Sequence, residues 1–246
     1  TRFTQPAMVA VANMATLLLK KNRVTPDYVC GLSLGEYSAL SAAGVFDPET
    51  AIQVVRERGL AMEKAAEGVE SAMMAILGLE REPLLNICVG CDGYVSIANY
   101  NCPGQLVIAG EKKAVEEAGQ KALDHGARRA VPLNTSGPFH TKLLKDASTR
   151  LHEVFKNVKF HEMNVPVIFN CTGKELENCS VQDMLEKQVM SPVYFEDSIR
   201  TMINNGVDTM IEIGPGKVLS GFVRKIDKKI KTYQVEDMAS LQKCVE

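Results

Sequence analysis

Ser33 stands in the pentapeptide Gly31-Leu32-Ser33-Leu34-Gly35, which has the form Gly-x-Ser-x-Gly. The apolar residues 28–30 before it predict a strand, and residues 36–43 after it predict a helix. Strand, sharp turn and helix form the context of a nucleophile elbow, and side chains at Gly31 and Gly35 are expected to collide with the flanking elements. We predict that Ser33 is a nucleophile and that the Leu34 N–H stabilises an oxyanion. An ordinary glycine-rich turn is the alternative.

A serine nucleophile needs a general base, and the chain contains 4 histidines. His125 lies at a predicted helix end, His152 on a polar helix face and His161 in an exposed-looking run. His140 differs, because it follows a loop between a predicted strand and a predicted helix, where α/β folds place functional groups. We therefore predict that His140 is the base.

A carboxylate partner for this histidine is not evident. Between Ser33 and His140 the acidic residues fall mainly on predicted helix surfaces, and none ends a strand. An α/β-hydrolase would place its acid there, in the order Ser, Asp or Glu, His. We expect a dyad oriented by a backbone carbonyl or an amide side chain, which disfavours a standard hydrolase.

Arg58 lies on the next predicted helix, beside the apolar stripe formed by Ile52, Val55, Gly59 and Met62. Such an arginine either extends its charge to solvent or binds a buried anion, and a guanidinium holds a carboxylate through two parallel hydrogen bonds. Spacing alone leaves both interpretations open.

Two other patterns predict no chemistry. The stretch Gly214-Pro215-Gly216-Lys217 lacks the four-residue gap and the Lys-Ser/Thr ending of a phosphate-binding loop, so we interpret it as a tight turn. Cys88 and Cys91 form a lone CxxC without a second pair or a nearby histidine, so no metal site is expected. The odd count of 7 cysteines, mostly in apolar surroundings, is typical of reduced thiols and favours a cytoplasmic setting.

The composition of the chain argues against two classes of binding partner, nucleic acids and membranes. The chain has 246 residues, 46% of them hydrophobic, a net charge of −2 and a pI of about 6.1. This balance gives no electrostatic case for binding nucleic acid or an anionic membrane, and no apolar run approaches the roughly 20 residues that span a bilayer.

The order of predicted elements favours an α/β fold with two parts. Residues 1–69 and 135–246 alternate strands and helices and predict a large hydrolase-like domain with a central, mostly parallel sheet. Residues 70–134 follow the order βαββαβ of a ferredoxin-like domain, inserted into the large one. In this scheme residues 100–104 link two strands.

Five motifs in their order resemble one family across essentially the whole chain: Gly31–Leu40 of the elbow, Arg58, Asn99-Tyr100-Asn101-Cys102-Pro103-Gly104-Gln105, Gly137-Pro138-Phe139-His140 and Glu212-Ile213-Gly214-Pro215-Gly216. They are similar to the malonyl-CoA:acyl-carrier-protein transacylases of bacterial fatty-acid synthesis. The resemblance implies a hydrolase-like α/β domain with an inserted ferredoxin-like domain. It also implies that Ser33 accepts the malonyl group, His140 is its base, Arg58 binds the malonyl carboxylate and the Leu34 N–H is an oxyanion donor.

Further expectations follow from the resemblance. Asn99 and Asn101 belong to a motif that approaches the active site, and the bulky Phe139 should disfavour a branched acyl group such as methylmalonyl. The histidine is expected to be oriented by a backbone carbonyl from the segment 192–194, where this chain has Tyr194 and many relatives have glutamine. The substrates would be malonyl-CoA and the phosphopantetheine thiol of acyl carrier protein, with no tightly bound cofactor and a monomeric, cytoplasmic enzyme.

The family also begins with a strand and a Gly-Gln-Gly loop whose glutamine amide is the second oxyanion donor. The sequence begins at Thr1 without that segment, and we expect the natural protein to have it. Three alternatives to a free-standing malonyl transferase are an acyltransferase domain of a polyketide synthase, a serine esterase or lipase-like hydrolase, and a non-catalytic acyl-binding relative.

Overall fold

The computed structural model describes residues 3–135 and 137–246, so that Thr1, Arg2 and the loop residue Ser136 lie outside the described residues. The first half contains α1 (Thr4–Lys21), β1 (Val29–Cys30), α2 (Leu34–Ala42), α3 (Pro48–Ala66), β2 (Ser71–Leu77), α4 (Arg81–Val89), β3 (Val95–Cys102), β4 (Gln105–Glu111), α5 (Lys112–Asp124) and β5 (Arg129–Pro132). The second half contains a 3-10 turn (Lys142–Leu144), α6 (Lys145–Phe155), β6 (Val167–Ile168), α7 (Val181–Gln188), α8 (Phe195–Asn204), β7 (Thr209–Ile213), α9 (Val218–Ile226), β8 (Lys231–Val235) and α10 (Met238–Val245). The predicted α/β class is confirmed.

Helix α3 shows how local sequence sets these elements. Asp47 is its N-cap and accepts the Thr50 N–H at 2.9 Å, and Pro48 occupies the first turn, where a missing N–H costs nothing. The buried face of the helix packs on α1 and α6. This face carries Arg58, which is as buried as its apolar neighbours.

Four antiparallel strands form one sheet in the order β3-β4-β2-β5, and together with α4 and α5 they give the predicted ferredoxin-like arrangement. One boundary differs from the prediction. Strand β3 continues through Tyr100 and Asn101 to Cys102, because irregularities in its register after Ile97 and after Tyr100 keep it paired with β4. The turn is then left to Pro103 and Gly104.

The parallel strands occur in two pairs, β1 with β6 and β7 with β8. The apolar run 165–170 predicts a strand, and the structure forms one over two of these residues only. Residues 141–157 predict a helix, which in the structure opens with the 3-10 turn. A large apolar cluster fills the space around β1 and β6, with α2, α3, α6 and α7 contributing to it. Among the described helices, none combines the length and the apolar character needed to cross a bilayer.

The antiparallel sheet is joined to the chain before α8 by backbone hydrogen bonds. The Tyr100 N–H donates to the Val193 carbonyl at 2.8 Å, and the Val193 N–H donates to the Ala98 carbonyl at 2.9 Å. The Tyr100 and Tyr194 rings stack at 4.8 Å with an interplanar angle of 9°. We call this region, 98–100 with 193–194, the joint.

Arg81 at the start of α4 reinforces the joint. Its guanidinium carbon lies 4.9 Å from the centre of the Tyr100 ring, and its nitrogens pair with Glu196 at 3.0 Å and with Asp197 at 2.9 Å. Ring stacking, a cation over the ring and two ion pairs therefore act at one place.

Candidate active site

The turn at Ser33 has the backbone geometry of a nucleophile elbow. Ser33 lies between β1 and α2 with φ 55° and ψ −102°. A Cβ on Gly31 would lie 2.0 Å from the carbonyl carbon of Gly35, so the turn requires glycine at position 31. The expected collision at Gly35 is wrong, since outside its chain neighbours and its own helix no described atom lies within 4 Å of a Cβ placed there. The backbone of Gly35 is instead what crowds Gly31.

His140 lies directly against the serine. The Ser33 Oγ is 2.7 Å from His140 Nε2, and His140 Nδ1 is 2.9 Å from the Gln188 carbonyl oxygen. Because a carbonyl only accepts, Nδ1 carries the proton and Nε2 is left to accept the Ser33 hydroxyl proton. The sequence prediction that these two side chains meet is therefore reproduced in the structure.

Both residues have positive φ. His140 has φ 61°, and among the described non-glycine residues only Arg23 shares this backbone region with Ser33 and His140. Side chains other than glycine adopt it at a cost of roughly 1–3 kcal/mol, so the surrounding hydrogen bonds must hold the two residues in place.

His140 is set up as a neutral base. It is 3% exposed, and burial, with the nearby charge of Arg58, lowers its pKa to about 4. The imidazole is then unprotonated at neutral pH and can take a proton from Ser33.

The depressed pKa gives a prediction for stability. As pH falls below about 6.5 the unfolded state protonates His140, whereas the folded state does not until pH is about 4. Stability conferred by neutral His140 is thus present above pH 6.5 and lost as pH falls through this window, by on the order of 3 kcal/mol. Urea unfolding at several pH values should show this loss in the wild-type protein and not in His140→Gln; parallel curves would contradict it.

Arg58 does not extend to solvent. It is 1% exposed, and its guanidinium donates to Gln5 Oε1 at 2.8 Å, to Ser33 Oγ at 3.0 Å and to Gln188 Oε1 at 3.1 Å. The guanidinium carbon lies 5.2 Å from the centre of the Tyr37 ring. The structure excludes the interpretation in which the arginine extends its charge to solvent, and it places a fixed cation beside the serine hydroxyl. Binding of an anion by Arg58 stays a prediction.

The carbonyl that orients the histidine belongs to Gln188 at the end of α7, not to the predicted segment 192–194. The backbone of that segment is engaged elsewhere. Val193 pairs with β3, and the Tyr194 N–H donates to the Asn170 carbonyl at 2.8 Å. A backbone carbonyl does orient the histidine, as predicted, but the residue that provides it is Gln188.

Replacement of Tyr194 by glutamine tests this assignment. We expect loss of the ring stack to lower the free energy of unfolding by about 1 kcal/mol. The rate of Ser33 acylation should stay near that of the wild-type protein, since the Gln188 carbonyl is untouched. Urea unfolding and rapid-quench mass measurement give the two quantities, and a large rate loss without misfolding would contradict the assignment.

Three polar residues around the pair escaped the sequence prediction: Glu36, Asn170 and Gln188. Glu36 belongs to the elbow motif itself, yet its carboxylate is 0% exposed rather than on a helix surface. Its place three residues after Ser33, one turn into the helix, was the available signal. Asn170 and Gln188 lie far along the chain, and nothing in their local sequence distinguishes them.

The remaining predicted site residues make no described side-chain hydrogen bond to Ser33, His140 or Arg58. As the first residue of α2, Leu34 has no helical carbonyl to receive its N–H, which leaves that donor available. Phe139 is half-buried and contacts apolar residues of both the large cluster and the antiparallel sheet. Asn99 and Asn101 lie on β3, each 7% exposed, and the described contacts bring neither side chain to Ser33, His140 or Arg58. Their participation stays a prediction.

The described residues offer no metal site, and the cavity beside the loop 171–179 does not include Ser33, His140 or Arg58. Within residues 3–135 and 137–246, no group of three or more His, Cys, Asp or Glu side chains could hold a metal ion. A cavity of about 880 Å³ lies between the loop 171–179, α7 and α8, and its walls carry charges of both signs. Ser33, His140 and Arg58 are not among its lining residues.

Comparison with known proteins agrees with this geometry. The family model described as "acyl transferase domain" matches residues 1–243. A malonyl CoA-acyl carrier protein transacylase of Bacillus subtilis (strain 168) is 43% identical over 98% of this chain and 78% of its own length. The crystal structure of MCAT from Streptococcus pneumoniae superposes with a TM-score of 0.95 at 44% identity, covering 100% of this chain and 81% of that one.

A third similar structure is a malonyl-transacylase in complex with a type II polyketide synthase acyl-carrier protein. Its TM-score is 0.96 at 36% identity, covering 100% of this chain and 81% of that one. The elbow serine, the histidine and the buried arginine thus lie within an acyl transferase domain. The chain belongs to the acyl transferase family and, within it, to the malonyl CoA-acyl carrier protein transacylases.

Proposed function

We propose that this protein transfers the malonyl group of malonyl-CoA to the phosphopantetheine thiol of acyl carrier protein, through an ester on Ser33, and so supplies extension units for fatty-acid synthesis. One observation carries the proposal. The Arg58 guanidinium lies 3.0 Å from the Ser33 hydroxyl oxygen, fully enclosed, where it can bind the free carboxylate of an acyl group attached to that oxygen.

The first half-reaction forms the ester. Ser33 Oγ attacks the thioester carbonyl carbon of malonyl-CoA while His140 Nε2 accepts the hydroxyl proton. The Leu34 N–H stabilises the negative oxygen of the tetrahedral intermediate. The carbon–sulfur bond then breaks, and the CoA sulfur leaves with the proton returned by His140.

The second half-reaction reverses these roles. The phosphopantetheine thiol gives its proton to His140, and its sulfur attacks the ester carbon. The carbon–oxygen bond of the ester breaks, and Ser33 recovers the proton from His140. The Gln188 carbonyl keeps the imidazole in the tautomer that both steps require.

Arg58 and Phe139 account for substrate choice. The cation of Arg58 selects an acyl group that ends in a carboxylate, because an acetyl group would leave the buried charge unpaired. Phe139, next to His140 in the chain, is bulky enough to crowd a branch on the acyl α-carbon, which favours malonyl over methylmalonyl.

The remaining expectations are part of the same proposal. Asn99 and Asn101 contribute to the substrate-binding surface from β3, and residues 70–134 act as an inserted domain. We place the enzyme in the cytoplasm as a monomer without a resident cofactor.

A hydrolase is the second candidate, since an elbow serine with a histidine also serves esterases. It predicts no use for the cation beside Ser33, and the transferase is therefore the better account. A polyketide synthase domain would perform the same chemistry for a different carrier protein, and a non-catalytic relative would need neither a paired serine nor histidine.

The test is the intact mass of the full-length protein after incubation with malonyl-CoA. We expect one malonyl group on Ser33, stable until phosphopantetheinylated acyl carrier protein is added and then transferred to it. Rapid release of malonate by water without carrier protein would favour the hydrolase. Absence of both an adduct and malonate release would overturn both and leave the acyl-binding relative.

A further inference from the structure

Glu36 is a buried acid that takes no part in the two half-reactions described above. It is the third residue of α2, 0% exposed, and its N–H donates to the Ser33 carbonyl at 3.2 Å. Its two carboxylate oxygens accept from different parts of the chain. Oε2 accepts the Asn170 N–H at 2.5 Å, and Oε1 accepts the Gln188 side-chain amide at 3.2 Å.

The first of these partners holds the nucleophile. The Asn170 side chain donates to the Gly31 carbonyl at 2.7 Å and accepts the Ser33 N–H at 2.6 Å. It therefore clamps the turn on both sides of the serine, where the backbone has the costly positive φ of Ser33.

The second partner of Glu36, Gln188, orients the base His140. The Gln188 carbonyl accepts from His140 Nδ1, while its side-chain amide also donates to the Ser33 carbonyl at 2.8 Å. The carboxylate of Glu36 thus bonds the backbone N–H of Asn170, whose side chain clamps Ser33, and the side-chain amide of Gln188, whose carbonyl accepts from His140 Nδ1.

Both contacts require acceptors on Glu36. An ionised carboxylate offers two, whereas a protonated carboxyl or a glutamine amide presents one acceptor and one donor, and the donor would face another N–H. Burial raises the pKa of Glu36 to about 8, against the lowering effects of the Asn170 N–H, the Arg58 charge and the Gln188 amide.

We propose that Glu36, acting through Asn170 and Gln188, is a positioning residue that sets the distance between Ser33 Oγ and His140 Nε2 for malonyl transfer. The inference rests on the proposed function, because it assigns a task within that reaction. Glu36 does not touch the reacting atoms, and its charge acts on how the pair is held.

The other ionisable groups near the Glu36 carboxyl have pKa values far from pH 8. Cys30 on β1 and Cys171 after β6 each have a pKa raised to about 12 by burial. Tyr37 on α2 also has its pKa raised by burial, Arg58 on α3 stays a cation, and His140 has a pKa of about 4. A change in acylation rate near pH 8 therefore reports on Glu36.

The experiment measures single-turnover acylation of Ser33 by malonyl-CoA, which involves no attacking thiol, from pH 6.5 to 9 in three proteins. They are the wild-type chain, Glu36→Gln and the matched control Glu153→Gln, whose carboxylate is half-exposed and pairs with Lys156. The wild-type rate should rise through about pH 8. The rate of Glu36→Gln should be flat and about 10²-fold lower at pH 9, as expected for misplacement of reacting groups by about 1 Å.

Malonyl-CoA binding separates positioning from general damage. Glu36→Gln keeps the Arg58 clamp and removes a neighbouring negative charge, so its Kd for malonyl-CoA should be unchanged or lower. Equal rates and pH profiles for wild type and Glu36→Gln, with the wild-type adduct formed, would overturn the inference and leave the transferase assignment standing. Absence of the wild-type adduct would instead overturn the function.

Glu36→Asp covers the case in which Glu36→Gln does not fold. It keeps the charge and shortens the reach by one methylene, so we expect a folded protein with a slower rate that still rises with pH. A wild-type rate in Glu36→Asp would contradict a role that depends on placement.

Discussion

Ser33→Ala is expected to form no malonyl adduct and to lose malonyl transfer by on the order of 10⁶-fold, the loss typical of removing a nucleophile. Without the hydroxyl there is no oxygen to carry the acyl group, although Arg58 and His140 keep their other hydrogen bonds. Intact mass after incubation with malonyl-CoA measures the adduct, and transfer to acyl carrier protein measures the rate.

Ser38→Ala is the matched control, because Ser38 lies on α2, the helix that Ser33 directly precedes. We expect it to form the adduct as the wild type does. An undiminished adduct in Ser33→Ala would place the acyl group on another side chain and invalidate the assignment of the elbow serine.

Arg58→Ala is expected to lower kcat/KM for malonyl-CoA by about 10²- to 10⁴-fold. A bidentate pair contributes two charge-assisted hydrogen bonds of about 1.5–3 kcal/mol each, and about 1.4 kcal/mol corresponds to a factor of ten. Acetyl-CoA, which has no free carboxylate, loses nothing from this change and no longer leaves a buried cation unpaired. The ratio of malonyl to acetyl transfer should therefore fall.

Arg56→Ala controls for the removal of an arginine from the same helix, since its side chain is 65% exposed and pairs with Glu57 at the surface. Its kinetics should match the wild type. An Arg58→Ala protein that retains the wild-type preference for malonyl-CoA would show that the carboxylate is bound elsewhere.

Much of the fold follows from local sequence. Turn residues and apolar patterns predict helices over 81–89 and 238–245 and strands over 209–213 and 231–235. The bounds of α4, α10, β7 and β8 coincide with these, because caps, turns and apolar periodicity act over a few residues. Strand β3 is longer than the sequence predicts, because its pairing with β4 and with Val193 decides where it ends. Those partners are distant in sequence, and composition at 100–102 alone suggests a loop.

The site likewise contains residues that local sequence predicts and residues whose roles depend on distant packing. Ser33 and His140 are predictable because their chemistry needs particular residue types in particular turns. The burial of Arg58 depends on what covers α3, and the anchor at Gln188 is a main-chain carbonyl that any residue provides. The role of Glu36 is hidden for a related reason, since an acid in the first turn of a helix usually interacts with the helix dipole in water. Only the packing of Asn170 and Gln188 against it shows otherwise.

The joint between β3 and the chain before α8 bears on the construction of chimaeric acyltransferases. An exchange of the segment 70–134 would ordinarily be planned around two peptide junctions, one at each end. The paired backbones of Tyr100 and Val193 form a third, non-covalent junction, five residues beyond the carbonyl that holds His140. A donor segment whose strand ends early or shifts in register would leave this junction open, so compatible donors can be chosen by strand length and by an aromatic residue opposite Tyr194.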